Sequence, residues 1–88
     1  MTYSIIHQPD QSLFKVEIDG RTAFAQYRLI NNSLDILRVM VPKPLEGQGV
    51  ASALVKAAYN YAAEHQLRAK ATCSYAVKWL ERHPELVE

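Results

Sequence analysis

The chain has 88 residues, 49% hydrophobic and 22% charged, which is room for one globular domain with one core. A net charge of +1 gives no electrostatic case for non-specific nucleic-acid binding, and one cysteine excludes an internal disulfide framework or a thiolate metal cluster. No run approaches the roughly 20 apolar residues of a membrane span and the opening residues lack the form of a signal peptide; the expectation is one cytoplasmic domain over residues 1–88, bound to neither nucleic acid nor membrane and without a metal.

The first half of the chain reads as strands. Ser4–His7 is a short edge strand ended by Pro9-Asp10. Leu13–Ile18 alternates, with Phe14, Val16 and Ile18 on one face and Lys15 and Glu17 on the other. Asp19-Gly20 is a two-residue hairpin signal. Arg21–Ile30 follows, with Ala23, Ala25, Tyr27 and Leu29 sharing a face, and Asn31-Asn32 can take positive φ for a second turn. Leu34–Val41 is the next strand, and tight turns between successive strands predict an antiparallel meander. Pro42 and Pro44 stop the sheet. From Gln48 to His65 the period becomes helical, with Val50, Leu54, Ala57, Ala58, Tyr61 and Ala62 on one broad face. So many alanines predict a helix lying close against the sheet. Leu67–Cys73 is a strand that a strand–helix–strand crossover places parallel to Leu34–Val41, and a last helix spans Tyr75–Arg82, ended by His83-Pro84. His65 suits a helix C-terminus as a dipole partner, and neither it nor His7 forms a visible site.

Two of the three glycines, Gly47 and Gly49, stand between the strand and the alanine-rich helix. Strand, glycine loop and helix is the layout in which unpaired first-turn amides and the positive end of a helix dipole converge on an anion, with no Cβ in the way. The same layout also serves as a plain strand-to-helix turn. Glu46-Gly47-Gln48-Gly49-Val50-Ala51 resembles the acetyl-CoA loop of GCN5-related N-acetyltransferases, whose signature is Gln/Arg-x-x-Gly-x-Gly/Ala. Gly49 and Ala51 fill its last two positions, and Glu46 departs at the first. A second block is similar to the small single-domain members of the Yjdj type. After Cys73 come an aromatic two on (Tyr75), a small apolar residue three on (Ala76), an aromatic six on (Trp79), and His83-Pro84-Glu85. That subgroup commonly has a histidine three residues before the Val-Pro that ends the strand, and Arg38 occupies this position. The likeness runs over residues 34–85.

The resemblance implies an α+β fold, a minimal version of the superfamily's. It has a mixed, mostly antiparallel sheet of about five strands, a central helix after the glycine loop and a short C-terminal helix. It implies that Leu34–Val41 and Leu67–Cys73 splay apart and that the pantetheine arm of acetyl-CoA lies between them. Backbone groups at Val39, Met40 and Val41 would pair with the arm, and the amides of Gly47, Gln48, Gly49, Val50, Ala51 and Ser52 would hold the pyrophosphate. Lys43, Lys56, Lys70 and Lys78 are all candidates for the outer phosphate. Acetyl transfer needs a neutral amine at the thioester carbonyl, a donor for the oxyanion and a proton for the departing thiolate. Cys73, at the end of the second splayed strand, is the catalytic candidate: nucleophile, acid, or a structural thiol. Tyr75 could supply a hydroxyl proton or simply pack. The implied activity is acetyl transfer to an unidentified amine, with a peptide or protein among its candidate carriers, by a monomer or weak dimer. The alternative is a non-catalytic CoA-binding module acting through a protein partner.

Overall fold

Five strands and two α-helices account for most of residues 3–86, which the computed structural model describes; residues 1, 2, 87 and 88 of the expected domain lie outside the described residues. The order is β1 (Ile6–Gln8), β2 (Leu13–Ile18), β3 (Arg21–Ile30), β4 (Ser33–Met40), α1 (Val50–Glu64), β5 (Arg68–Ala71) and α2 (Ser74–Glu81), with 3-10 turns at Pro9–Gln11, Lys43–Leu45 and Pro84–Leu86. The strands lie side by side in chain order, antiparallel from β1 to β4, and β5 is parallel to β4. Asp19-Gly20 (φ 53° and 76°) and Asn31-Asn32 (φ 50° and 62°) make the two hairpin turns. Left-handed pairs of this kind match the twist of the strands they join.

One face of the sheet carries the core. Phe14, Val16, Ala23, Ala25, Tyr27, Leu34 and Ile36 are at most 4% exposed, and α1 packs across β2, β3, β4 and β5 on that side. Ala23, Ala25 and Ala58 are fully covered and Ala62 nearly so, the close helix–sheet approach that their small side chains permit. The helix α2 lies beside α1, with the Trp79 and Tyr59 rings 5.7 Å apart. The opposite face bears Lys15, Phe24, Arg38 and Met40, with the Arg38 guanidinium 5.3 Å from the Phe24 ring centre.

Element types and order match the sequence reading, and the differences fall at the ends and flanks. The edge strand is Ile6–Gln8 rather than Ser4–His7. The last strand ends at Ala71 because Cys73 is already the N-cap of α2. On α1, Val55 and Tyr59 are buried and Tyr61 only half-buried, because α2 covers the 55/59 flank. Leu29 shares a face with Ala23, Ala25 and Tyr27 as expected, but toward the end of the strand it is 55% exposed.

Candidate functional site

The strand β4 changes direction part-way along. Tyr27 pairs with Ile36 and Gln26 with Arg38, so Leu37 is an extra residue, a β-bulge. Up to the bulge, β4 and β5 are fully paired, from Ser33↔Arg68 to Ile36↔Ala71. The Ile36 carbonyl accepts the last two bonds, from the amides of Thr72 (2.9 Å) and Cys73 (3.1 Å). Beyond it the two strands part. Tyr27 turns its amide away from β4, to Ser12 O at 2.9 Å, so Gln26 turns toward β4 and takes Arg38 as its hydrogen-bonded partner. Backbone direction alternates along a strand, so Met40 also spends its groups on β3, whereas those of Val39 and Val41 face the opened edge. Bulges beside functional sites commonly re-aim a strand in this way.

The chain then enters the glycine loop. Leu45, 3% exposed, anchors the 3-10 turn in the core, and the Leu45 and Glu46 amides bond back to Pro42 and Lys43. Gly47 (φ 80°) and Gly49 (φ 77°) both lie in the left-handed region, where a Cβ is strained. Open space lies in front of each, since an added Cβ would meet no described atom within 4 Å. Between them, Gln48 is turned outward: its side-chain amide donates to Pro44 O (3.3 Å) and its carbonyl accepts the Tyr3 hydroxyl at 2.5 Å. Gly49 is the N-cap of α1, and it has no side chain with which to cap the helix. The amides of Val50, Ala51 and Ser52 are those an α-helix cannot satisfy internally. They face a cavity of about 250 Å³ bounded by Val41, the loop from Leu45 to Gly49, the first turn of α1 and Tyr75.

The second half of the site is set by α2. Cys73 is half-buried with a free thiol. Its amide is held by Ile36 and its carbonyl accepts from Val77 at 2.9 Å, which fixes the residue where β4 and β5 part. Thr72, just before it, donates its hydroxyl to the buried Asp35 carboxylate (3.1 and 3.0 Å), which also accepts from Arg28 Nε at 3.2 Å. One turn along α2 from Tyr75, the Trp79 indole N–H donates to Ser52 Oγ at 3.0 Å. This bond ties α2 to the first turn of α1 and fixes Tyr75 across the loop, because residues four apart share a helix face. His83 stacks on Trp79 (3.7 Å between centres) and pairs through Nδ1 with the Trp79 carbonyl at 2.8 Å, so its place is structural.

Of the residues chosen from the sequence, Val41, Gly47, Gly49, Val50, Ala51 and Ser52 surround this one cavity. Val39 stands on the opened edge leading to it. The side chains of Met40 and Gln48 point elsewhere. Cys73 does not line the cavity; it marks the inner end of the opening. Lys56 lies one turn beyond Ser52 and bounds an adjoining cavity of about 370 Å³. Tyr3 and the Ser52–Trp79 bond could not be anticipated, because they join residues 45 and 27 positions apart. Among the described residues no three His, Cys, Asp or Glu side chains come together as metal ligands, and no helix is long and apolar enough to cross a membrane.

Residues 13–88 match the family of GCN5-related N-acetyltransferases. This chain is a member of that family. Relatives include Protein NATD1 of Bos taurus, 31% identical over an 81-residue alignment that covers 89% of this chain and 72% of the bovine protein, and Protein NATD1 of Mus musculus, 30% identical over an alignment of the same length. The NMR solution structure of a GCN5-like protein from Staphylococcus aureus superposes with a TM-score of 0.74 at 31% identity, covering 96% of this chain and 83% of that one. In this GCN5-related N-acetyltransferase the parted strands, the two left-handed glycines and the uncapped helix start together form one continuous feature, from Val39 to Ser52.

Proposed function

We propose that this protein transfers the acetyl group of acetyl-CoA to an amine. The observation that carries the reading is the run of backbone groups left facing one opening: those of Val39 and Val41 on the edge of β4 and the first-turn amides at Val50, Ala51 and Ser52. This donor set fits acetyl-CoA. A pyrophosphate takes the helix-start amides, the amide-bearing arm takes the strand edge as a further strand would, and the open space at Gly47 and Gly49 admits both. Lys56, which lines the adjoining cavity beside Ser52, is our candidate for the outer phosphate.

Bound acetyl-CoA supplies the thioester whose carbonyl carbon the amine attacks. The amine N–C bond forms, the C–S bond breaks, and the proton that the amine loses ends on the departing sulfur. Cys73 stands where that sulfur arrives and assists by giving or relaying the proton. Tyr75 closes the loop cavity over the pyrophosphate at Ala51 and Ser52. Trp79 acts through Ser52 as a positioning residue.

Two measurements test this. Acetyl-CoA at 100 times its dissociation constant adds about 2.7 kcal/mol to stability, and each kcal/mol moves the melting temperature of a domain this size by roughly 4–8 °C. An unchanged melting curve in saturating acetyl-CoA sinks the reading. Release of CoA that depends on an added amine separates transfer from mere binding; a stabilised protein that releases none with any of a panel of amines is a binding module.

A further inference from the structure

The strand β5 is an edge. It pairs with β4 on one side, and among the described residues no strand pairs with the other. Arg68 and Thr72 turn their amides to Asn32 and Ile36 of the β4 side, so the groups of Ala69 and Ala71 face outward. Beside this edge runs a groove of about 540 Å³ between β5 and the outer side of α2, walled by Ala69, Ala71, Val77, Leu80, Glu81 and Pro84, with Lys70 at its rim. Val77 is 38% exposed. On the other face of the same strand, Arg68 and Lys70 are exposed and two residues apart. Among the described residues neither has a carboxylate partner; the one ion pair there is Arg28 with Asp35.

We propose that this edge docks an extended peptide in which acidic and apolar residues alternate, and that the peptide carries the acceptor amine. The inference rests on the acetyltransferase reading for the fate of the amine but not for the docking. A strand added to an edge gains main-chain bonds, and its side chains fall alternately to the two faces. Here one face is apolar and bears Glu81, which disfavours acids on that side. The other offers two cations at the spacing of alternate residues. A short, charged edge strand also resists edge-to-edge pairing, but that role does not call for an apolar groove alongside. The docked strand runs along β5 toward Cys73, two residues past its end, and an amine on the residues that extend beyond β5 is the one that reaches the opening between β4 and β5.

The probe is a fluorescein-labelled nonapeptide alternating valine and glutamate with one terminal lysine, followed by anisotropy against the whole protein without acetyl-CoA. Saturable binding is expected, weaker at high salt and at least tenfold weaker in Lys70→Glu. Ala71→Pro removes an outward donor, which edges tolerate, and reshapes the groove wall at the same residue; it is expected to abolish binding while the protein still melts cooperatively. Should it fail to fold, Arg68→Glu carries the same test. Equal binding of a valine–lysine peptide, or of a peptide with its valines and glutamates in separate blocks, overturns the proposal. So does a concentration-dependent dimer in sedimentation that Lys70→Glu abolishes, which would make the occupant a second copy. If the melting curve responds to acetyl-CoA but no peptide binds, only the docking falls; if the peptide binds without an acetyl-CoA shift, only the transferase reading falls.

Discussion

Cys73 holds its thiol where β4 and β5 separate, with its own backbone fixed to Ile36 and Val77. That placement suits a group that serves the departing sulfur while the amine attacks directly. Mixing the protein with acetyl-CoA and no amine is therefore expected to leave no acetyl mass on Cys73, and Cys73→Ser is expected to retain part of the rate. Cys73→Ala should bind acetyl-CoA normally and turn over slowly. A stable acetyl-Cys73 that passes its acetyl group to an added amine would establish a nucleophilic thiol instead. Ala51 and Gly49 separate binding from stability. A carboxylate in the first turn of a helix is favourable to the fold, yet at Ala51 it stands in the cavity the phosphate needs. Ala51→Glu should thus melt like the parent and lose its acetyl-CoA shift. Gly49→Ala should lose both, because φ 77° costs a non-glycine residue on the order of 1 kcal/mol.

At the scale of elements, α2 owes its position to Trp79. Replacing it with phenylalanine keeps a ring against Tyr59 but leaves the Ser52 hydroxyl without its donor, at a cost of about 1 kcal/mol. Tyr75 is then less firmly held over the loop, so KM for acetyl-CoA should rise more than kcat falls; an unchanged KM would show that the clamp has no bearing on binding. The strand β1 is held differently. His7 stacks on Phe14 (4.1 Å, 3° between planes) and pairs through Nε2 with the Tyr27 hydroxyl at 2.6 Å. Burial, and then the neighbouring His65, push the His7 pKa below 6.5. The unfolded chain therefore takes up this proton more readily than the folded one. The stability that His7 contributes is complete above pH 6.5 and is lost as pH falls from there through the lowered value. His7→Phe should flatten that part of the melting-temperature profile, and an unaltered slope would place the acid sensitivity elsewhere. Turns and strands were readable because Asp19-Gly20, Asn31-Asn32 and the alternation around Phe14 and Val16 each have a local cause. The side of α1 that α2 covers was not, since alanines at 53, 57, 58, 62 and 63 leave the apolar stripe without a defined centre. The partner that selects Val55 and Tyr59 comes later in the chain.

For the molecule as a whole, the glycine loop was legible because left-handed backbone at a strand-to-helix turn favours glycine. The bulge at Leu37 was not, because an added apolar residue in an apolar strand leaves no mark on the pattern. Nor was Tyr3, whose bond to Gln48 depends on the finished sheet bringing the start of the chain to the loop. The bulge has a consequence for how the protein exchanges its protons with water. Val39 lies within the sheet, yet its amide faces the opened edge, whereas the amide of Met40 is spent on Phe24 of β3. In deuterated solvent the Val39 amide should exchange quickly while Arg38 and Met40 on either side of it exchange slowly. Saturating acetyl-CoA should slow Val39 and leave its two neighbours as they were. A strand with one fast amide between two slow ones, slowed only by the ligand, would locate the bound arm without any measurement of catalysis.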